Sequence, residues 1–259
     1  MKKNLLTSLA VLILLLAAVP AIAYQSAVTG ASSNSADYNI DEYADEYADE
    51  YGDYDDSEII ADPLRGFNMM MYDFNRGVYY IVIKPASDAY RFVMPEEIRT
   101  CAGNFFRNLG FPVRFINCLL QGNVDRAVDE FEAFFLNTTV GVLGLGDPAP
   151  YVMGREVPAE DFGQTLAVWG IGNGFYIVLP FLGPTTARNA VGSLGDFAMN
   201  PITYSGLPWE VTAIARATET INYFSFQNDV YKQLEEVSLD PYVALRNGYV
   251  QNNNRKIAE

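Results

Sequence analysis

Few residues of this sequence have the types and the spacing that catalysis requires. Glu160 and Asp161 are adjacent carboxylates that would diverge on a helix, so a solvated or capping role is expected instead of acid–base catalysis. Residues 191–195 read VGSLG and lack the first glycine of the G-x-S-x-G nucleophile motif. The sequence has no His, which removes Ser-His-Asp catalysis and every His-ligated metal site. We therefore expect that the protein is not an enzyme and that it has no catalytic residue, cofactor or metal site.

Cys101 and Cys118 are the two cysteines of the sequence, too few for a Cys-rich zinc or iron–sulfur site. Their midpoint falls at a turn predicted around Gly110, so an antiparallel helical hairpin would place them level with each other. In an oxidising compartment this arrangement predicts a disulfide between them. The alternative is a pair of buried free thiols.

The elements that would position such residues begin after a long N-terminal region. Lys2 and Lys3 precede an apolar run over residues 5–19, and Ala21-Ile22-Ala23 follows as an A-x-A site. This layout predicts a secretory signal peptide over residues 1–23, although the run could instead be a retained transmembrane anchor. No Cys lies near the predicted cleavage site, so the mature N-terminus as written would not be lipidated.

Residues 24–60 form an acidic, low-complexity tail. Residues 37–58 hold eleven of the 32 acids and no base, and residues 41–51 repeat with a period of four. Like charges repel and few aliphatic side chains are present, which predicts disorder. A solvated spacer is the simpler interpretation, and weak binding of divalent cations is the alternative. The net charge of −15 argues against a basic nucleic-acid binder.

The body from Asp62 onward predicts an all-α fold. Asp62-Pro63 is typical of a helix start, and Pro85 is expected to end this first helical stretch. Pro95 opens the next helix, while Gly110 and Gly122 are expected to end helices. Later helices are predicted over residues 209–223 and from Pro241, and residues 251–259 form a polar C-terminal end.

Residues 162–187 form an uncharged stretch of 26 residues that seven Gly and Pro residues interrupt. The length would span a bilayer, but a broken backbone facing lipid cannot satisfy its own hydrogen bonds. We therefore expect a kinked hairpin at a membrane interface, where Trp169 and Tyr176 are favoured residue types. The alternative is a buried core hairpin.

The body resembles the MlaA (VacJ) family of outer-membrane phospholipid-transport proteins, in order, over roughly residues 60–250. Its most specific part is the run over residues 160–166, EDFGQTL. The other matching residues are Asp62-Pro63, Phe67-Asn68, Phe74-Asn75, Asn104-Phe105, Asn108-Leu109, residues 119–122, Asn137-Thr138-Thr139, residues 147–149, Trp169-Gly170, Leu179-Pro180, Gly183-Pro184, and Asp240-Pro241-Tyr242 with Arg246.

The resemblance implies a ring of amphipathic helices on the periplasmic face of the outer membrane, over residues 61–250. It implies a protein that removes mislocalised phospholipid from the outer leaflet and passes it to a periplasmic lipid carrier of the Mla pathway, in association with a trimeric porin. The missing lipid-bearing Cys and the acidic tail depart from the family pattern. A soluble periplasmic scaffold or, more remotely, a secreted lipid hydrolase are the alternatives.

Two segments, residues 137–146 and residues 162–187, are the candidates for the lipid path or the membrane interface, because their glycines let the backbone approach a headgroup closely. The candidate residues are Asn137, Thr138, Gly141 and Gly144 in the first segment, and Trp169, Gly170, Gly174, Tyr176, Leu179 and Pro180 in the second.

Overall fold

The structure is a computed structural model that describes residues 60–227 and 229–258. The predicted signal peptide and the acidic tail, apart from Ile60, lie outside the described residues. The described chain is mostly helical, as predicted, and contains one two-stranded antiparallel sheet. None of the described helices is long and apolar enough to cross a membrane.

The elements follow one another with short connections. They are α1 (Arg65–Val78), a π-helical segment (Tyr79–Ile83), α2 (Lys84–Val93), α3 (Glu96–Leu109), α4 (Phe111–Leu120), α5 (Val124–Thr139), α6 (Ala149–Met153), α7 (Phe162–Val168), β1 (Tyr176–Leu179), β2 (Gly183–Thr186), α8 (Ala187–Met199), a 3-10 turn (Pro201–Tyr204), α9 (Trp209–Phe224), α10 (Val230–Val237) and α11 (Pro241–Ala258).

The first helical stretch does not end at Pro85, so that prediction is wrong. A proline inside an α-helix lacks an N–H and clashes with the carbonyl four residues earlier. Here the π-helical turn widens the backbone just before Pro85, and the Lys84 N–H bonds to the Tyr79 carbonyl five residues back. The widened turn accommodates the proline ring, and helix continues to Val93.

Several helix ends follow the sequence closely. Glu96 and Glu97 lie in the first turn of α3, where carboxylates favour the positive end of the helix dipole. Asn123 caps α5 by accepting a hydrogen bond from the Arg126 N–H. Gly122, with φ +75°, makes the left-handed turn that ends α4.

Cys101 and Cys118 are both free thiols in the structure, Cys118 buried and Cys101 partly buried, so the predicted disulfide is not formed there. Gly110 keeps a right-handed helical backbone, with φ −74° and ψ −6°. The chain therefore passes from α3 into α4 with a bend and does not reverse direction, so no antiparallel α3–α4 hairpin forms to bring the cysteines level. Instead α4 packs against α5.

The hairpin of β1 and β2 is held against α1 by two asparagines one heptad apart. The Asn68 side chain donates to the Tyr176 carbonyl (3.1 Å) and accepts from the Val178 N–H (2.8 Å). Asn75 makes the same pair of bonds further along, with the Leu179 carbonyl (2.9 Å) and the Phe181 N–H (2.6 Å). Each side-chain amide thus acts as a strand partner for the outer edge of β1.

The main apolar cluster lies where the hairpin meets α1, α9, α10 and α11. It is rich in tyrosine, and its buried rings pack mostly edge-on or tilted. The last helix starts at Pro241 as predicted, but it runs on to Ala258. Asn252 and Asn253 are buried in it, so residues 251–258 are part of the folded body and not a separate polar end.

Candidate functional site

Helix α5 exposes its apolar face and buries polar residues on the other face, which is the reverse of the pattern in a soluble protein. Its apolar stripe of Val124, Val128, Phe131 and Phe135, spaced four, three and four residues apart, points outward, with Phe131 52% and Phe135 55% exposed. The opposite side of the helix buries a charge, since Glu130 is only 2% exposed. A long apolar stripe on the surface marks contact with another apolar phase or partner.

Two other helices repeat this inversion. On α1 the exposed side carries Phe67, Met70 and Phe74, while Asn68 is fully buried. On α8 Val191, Leu194 and Phe197 are exposed, and Arg188 is buried near its N-terminus.

The interior is correspondingly polar. Among the described residues, nineteen hydrophobic and eighteen polar or charged residues are buried. Buried polar side chains need partners, and nearly all of these are built into hydrogen-bonded clusters. The molecule thus has apolar stripes outside and polar clusters inside.

The run over residues 160–166 organises a polar cluster between α4, α5, α7 and α8. Asp161 caps α7 in a capping box with Gln164. Glu160 forms an ion pair with Arg126 and accepts a hydrogen bond from Gln121 (2.9 Å). Asp161 therefore takes the capping role expected from the sequence, whereas Glu160 is buried in an ion pair instead of being solvated.

A second buried ion pair joins α4 to α5. The Arg114 Nε atom lies 2.8 Å from a carboxylate oxygen of Glu130. Burial raises the pKa of Glu130, and the Arg114 guanidinium opposes that shift. Burial also raises the pKa of the Cys118 thiol to about 12, so the thiol stays protonated at neutral pH.

Asp196 lies in the same cluster without a cationic partner among its contacts. One of its oxygens accepts from the Asn117 side chain (2.9 Å) and from the Phe162 N–H (3.0 Å). Burial, and to a lesser extent the nearby Asp161 carboxylate, raise the pKa of Asp196 to about 7. No group of three or more His, Cys, Asp or Glu within the described residues is arranged to hold a metal ion.

The first candidate segment contains a tight loop, which hydrogen bonds from Asn108, Asn137 and Thr138 hold beside α3. These three polar side chains form a clamp around the base of the loop. Val142, Leu143 and Gly144 have φ of 54°, 59° and 84°, a left-handed run that is costly for the two non-glycine residues. Asn137 supports the loop by donating to Asp147 (2.8 Å) and accepting from the Ala149 N–H.

The same clamp reaches the loop from α3. Asn108 donates to the Thr138 hydroxyl (3.0 Å), and the Gly144 N–H donates to the Asn137 carbonyl (2.8 Å). Gly141 lies against Gly146, where a side chain would collide with backbone. The loop thereby presents the apolar side chains of Val142 and Leu143 outward from a polar base.

Replacing Gly144 with alanine is expected to destabilise the protein more than replacing Gly122. Both glycines have positive φ, so each Gly→Ala change costs about 1–2 kcal/mol of backbone strain. A Cβ at Gly144 would lie 2.5 Å from the Asn108 Cβ, whereas one at Gly122 meets nothing within 4 Å. We expect an additional loss of about 1–3 kcal/mol for Gly144→Ala, measured by denaturant unfolding in detergent. If both variants lose the same free energy of unfolding, the close packing of Gly144 against Asn108 does not contribute to stability.

The second candidate segment is divided between the surface and the core. Trp169 is half-exposed and its indole N–H donates to the Leu120 carbonyl (3.0 Å). Gly170 and Gly174 are exposed and have positive φ. Pro180 is exposed and Leu179 half-buried at the tip of the hairpin.

Tyr176 is fully buried and faces the tyrosine-rich cluster, so its ring is not presented to an interface. Strands β1 and β2 therefore form a buried hairpin, which was the alternative interpretation of this stretch. The preceding loop, with exposed Trp169 and Ile171, is the part of the uncharged stretch that reaches the surface. The two candidate segments have different neighbours: the first contacts α3, the second α1, α4 and α11.

Residues from the two ends of the described chain meet beside the hairpin. Asp62 accepts hydrogen bonds from Asn68 (2.7 Å) and from the Tyr242 hydroxyl. Arg246 approaches the same carboxylate at 3.6 Å, and both charged side chains are largely buried. These contacts join the start of α1 to α11.

The family model described as MlaA lipoprotein matches residues 60–256. The chain belongs to the MlaA family. The Escherichia coli (strain K12) protein named intermembrane phospholipid transport system lipoprotein MlaA is 35% identical over 198 residues, covering 75% of this chain and 77% of that protein. The same-named protein of Shigella flexneri is 36% identical over 198 residues, with the same coverage.

An uncharacterized protein of Rickettsia bellii (strain RML369-C) is 32% identical over 196 residues, covering 74% of this chain and 75% of its own. A solved structure from work on the "structural basis for maintenance of bacterial outer membrane lipid asymmetry" aligns with a TM-score of 0.64 at 31% identity. It covers 76% of this chain and 99% of the solved chain.

Sequence reasoning missed the buried charges of this MlaA-family fold. Arg114 and Asp196 each interrupt an apolar helical run, which was the available signal, whereas Glu130 lies between the acids Asp129 and Glu132 and stands out by no such pattern. A lone charge in such a run can face water or pair with a charge on another helix, and only the helix packing decides between these outcomes.

Proposed function

We propose that the chain is the outer-membrane component of an intermembrane phospholipid transport system that maintains the lipid asymmetry of the outer membrane. In this role it removes mislocalised phospholipid from the outer leaflet. The observation that carries the proposal is the combination of outward apolar stripes on α1, α5 and α8 with a polar interior. The transport system and the membrane are those for which the MlaA relatives and the similar solved structure are named.

The physical argument concerns the barrier for a headgroup. A phospholipid crosses a bilayer slowly because its charged headgroup must enter hydrocarbon. The apolar stripes would rest among acyl chains, while the polar clusters would offer hydrogen bonds to a headgroup that passes the protein. The helices would form a ring in the inner leaflet, on the periplasmic face, and no nucleotide is needed if the lipid moves downhill to a carrier.

Within this proposal the lipid path runs past the Asn137–Thr138 clamp and the Gly141–Gly144 loop, with the Trp169–Gly174 loop at the membrane interface. The polar base and the exposed apolar tip of the first loop support its placement. A periplasmic carrier protein would receive the lipid, and a trimeric porin would be the membrane partner. Transport would require no catalytic step.

Deleting the gene is expected to raise the amount of phospholipid in the outer leaflet, measured with a membrane-impermeant amine reagent on intact cells. Complementation with the wild-type chain should restore the low level. An unchanged level in the deletion strain would contradict transport. Release of free fatty acid by the pure protein would instead support a hydrolase, and loss from washed outer membranes would support a soluble scaffold.

The α5 stripe supplies a sharper version of the same experiment. Replacing both Phe131 and Phe135 with lysine should release the protein from washed membranes and abolish complementation. Each phenylalanine contributes about 1.5–3 kcal/mol when buried in an apolar phase. The matched control is Glu132→Lys, at an exposed polar position of the same helix. If the double variant and the control stay equally membrane-bound, α5 does not contact lipid.

A further inference from the structure

A small polar cavity of about 80 Å³ opens beside α2, and none of its lining residues belongs to the two candidate segments for the lipid path. One side of α2 lines it with Lys84, Ser87, Asp88 and Arg91, at the i, i+3, i+4 and i+7 positions of one helical face. Asp229, the N-cap residue of α10, lines the other side.

The charges of this cavity form a row of alternating sign. Asp229 lies 3.2 Å from the Lys84 ammonium, which lies 3.8 Å from Asp88, and Asp88 lies 2.8 Å from Arg91. Asp229 is the more buried end of the row, and Arg91 is about half exposed. The cavity therefore has an acidic inner end, a basic rim and no net charge.

Two further features indicate that the cavity is built to hold a ligand. The Ser87 hydroxyl lines it with only 3% of the residue exposed, and it has no hydrogen-bond partner. Unpartnered hydroxyls at such burial are uncommon because the lost hydration is not replaced. Tyr79 and Phe224, whose rings lie 5.6 Å apart, are also lining residues of the cavity, and an aromatic ring attracts an ammonium group that reaches its face.

We propose that this cavity binds a zwitterionic aminoalkyl phosphate, the chemistry of the phosphoethanolamine headgroup. The ammonium group would lie inward, against Asp229 and the aromatic rings, and the phosphate would lie at the rim beside Arg91. A ligand with net charge would leave the neutral row unbalanced, whereas a zwitterion matches both of its ends. The proposal rests on the proposed function and deepens it, because it names the headgroup that the protein selects.

The surroundings of the rim favour a lipid over a soluble ligand. The phosphate of a phospholipid is the group joined to the glycerol and acyl chains, so those chains would leave the cavity at its rim. Phe92 and Val93, which follow Arg91 directly, are largely exposed apolar side chains at that end of α2. They would contact the acyl chains.

The test is lipid retention by the full chain. The protein in detergent is incubated with equal amounts of phosphatidylethanolamine and phosphatidylglycerol of matched acyl chains, and the lipid that copurifies is quantified by mass spectrometry. The wild type should retain phosphatidylethanolamine with a preference of roughly two- to fivefold, the range that one or two partly exposed ion pairs provide. The variants Asp229→Asn and Arg91→Ala should bring the ratio to about one.

The controls separate the cavity from the fold and from the proposed function. Asn caps helices as well as Asp, so Asp229→Asn keeps the start of α10, and Arg91 is too exposed to be part of the core. The matched control is Arg155→Ala, which breaks an exposed ion pair with Asp129 and should keep the preference.

Displacement of the retained lipid by soluble phosphoethanolamine would identify the headgroup alone as the ligand, and retention in its presence would identify the diacyl lipid; both results support the assigned chemistry. Equal retention of the two lipids by the wild type, a preference for phosphatidylglycerol, or a preference that survives Asp229→Asn would overturn it. If the wild type shows no preference but still restores outer-leaflet asymmetry in cells, the headgroup site fails while the transport function stands.

Discussion

Replacing Asn68 with alanine is expected to lower the free energy of unfolding by about 3–6 kcal/mol, because it leaves several buried polar groups unpaired. The side chain is fully buried and bonds to Asp62, to the Tyr176 carbonyl and to the Val178 N–H. Denaturant unfolding in detergent and amide exchange at Val178 would measure the effect.

Asn75→Ala is the matched control for this prediction. Asn75 makes the same kind of amide pair with β1, but its partners Leu179 and Phe181 lie at the less buried tip of the hairpin. Water can replace the lost bonds there, so we expect less than half of the loss seen for Asn68→Ala. If the two variants lose the same stability, the burial of the Asn68 amide is not what holds the hairpin.

The second large effect concerns the pH dependence of stability, through Asp196. The pKa of this carboxyl is raised from 3.8 to about 7 in the folded protein, chiefly by burial. Between pH 4 and 7 the folded state therefore keeps a proton that the unfolded state releases. Stability from this group is complete below pH 4 and is lost as the pH rises toward 7, by up to about 4 kcal/mol.

Asp196→Asn should remove this dependence and make the protein more stable than the wild type at pH 8. The asparagine oxygen can still accept from the Asn117 side chain and the Phe162 N–H, as the carboxyl does. The comparison is unfolding free energy between pH 4 and 8 for the wild type, for Asp196→Asn, and for Asp125→Asn at an exposed carboxylate. An Asp196→Asn variant that keeps the pH slope of the wild type would show that the carboxyl titrates normally in the folded state.

The helix boundaries were mostly predictable from local chemistry, and the exceptions have local causes as well. The acids after Pro95, the Asn123 cap and the left-handed Gly122 act over one turn of chain, so their effect is readable from neighbouring residues. Pro85 does not end the helical stretch because the π-helical turn before it relieves the clash of the proline ring. The chain does not reverse its direction at Gly110 because glycine permits a turn but does not impose one.

The location of the hairpin could not be predicted from the sequence, for a reason that is not local. The uncharged residues 162–187 were compatible with a membrane interface or with a core, and their composition is the same in both cases. The structure places Tyr176 and Val178 in the core because Asn68 and Asn75 pair with the free edge of β1. Those partners lie about a hundred residues earlier in the chain, beyond the reach of any local pattern.

The sequence by itself determined a mostly helical body, its family and the presence of an apolar stripe on α5, since periodicity and motif order are properties of the chain. Only the tertiary structure decided that this stripe faces outward while Glu130 and Asn137 face inward. A helical period specifies two faces but not which of them meets solvent, lipid or protein. That choice depends on the ion pairs and amide bonds that distant helices offer to the polar face.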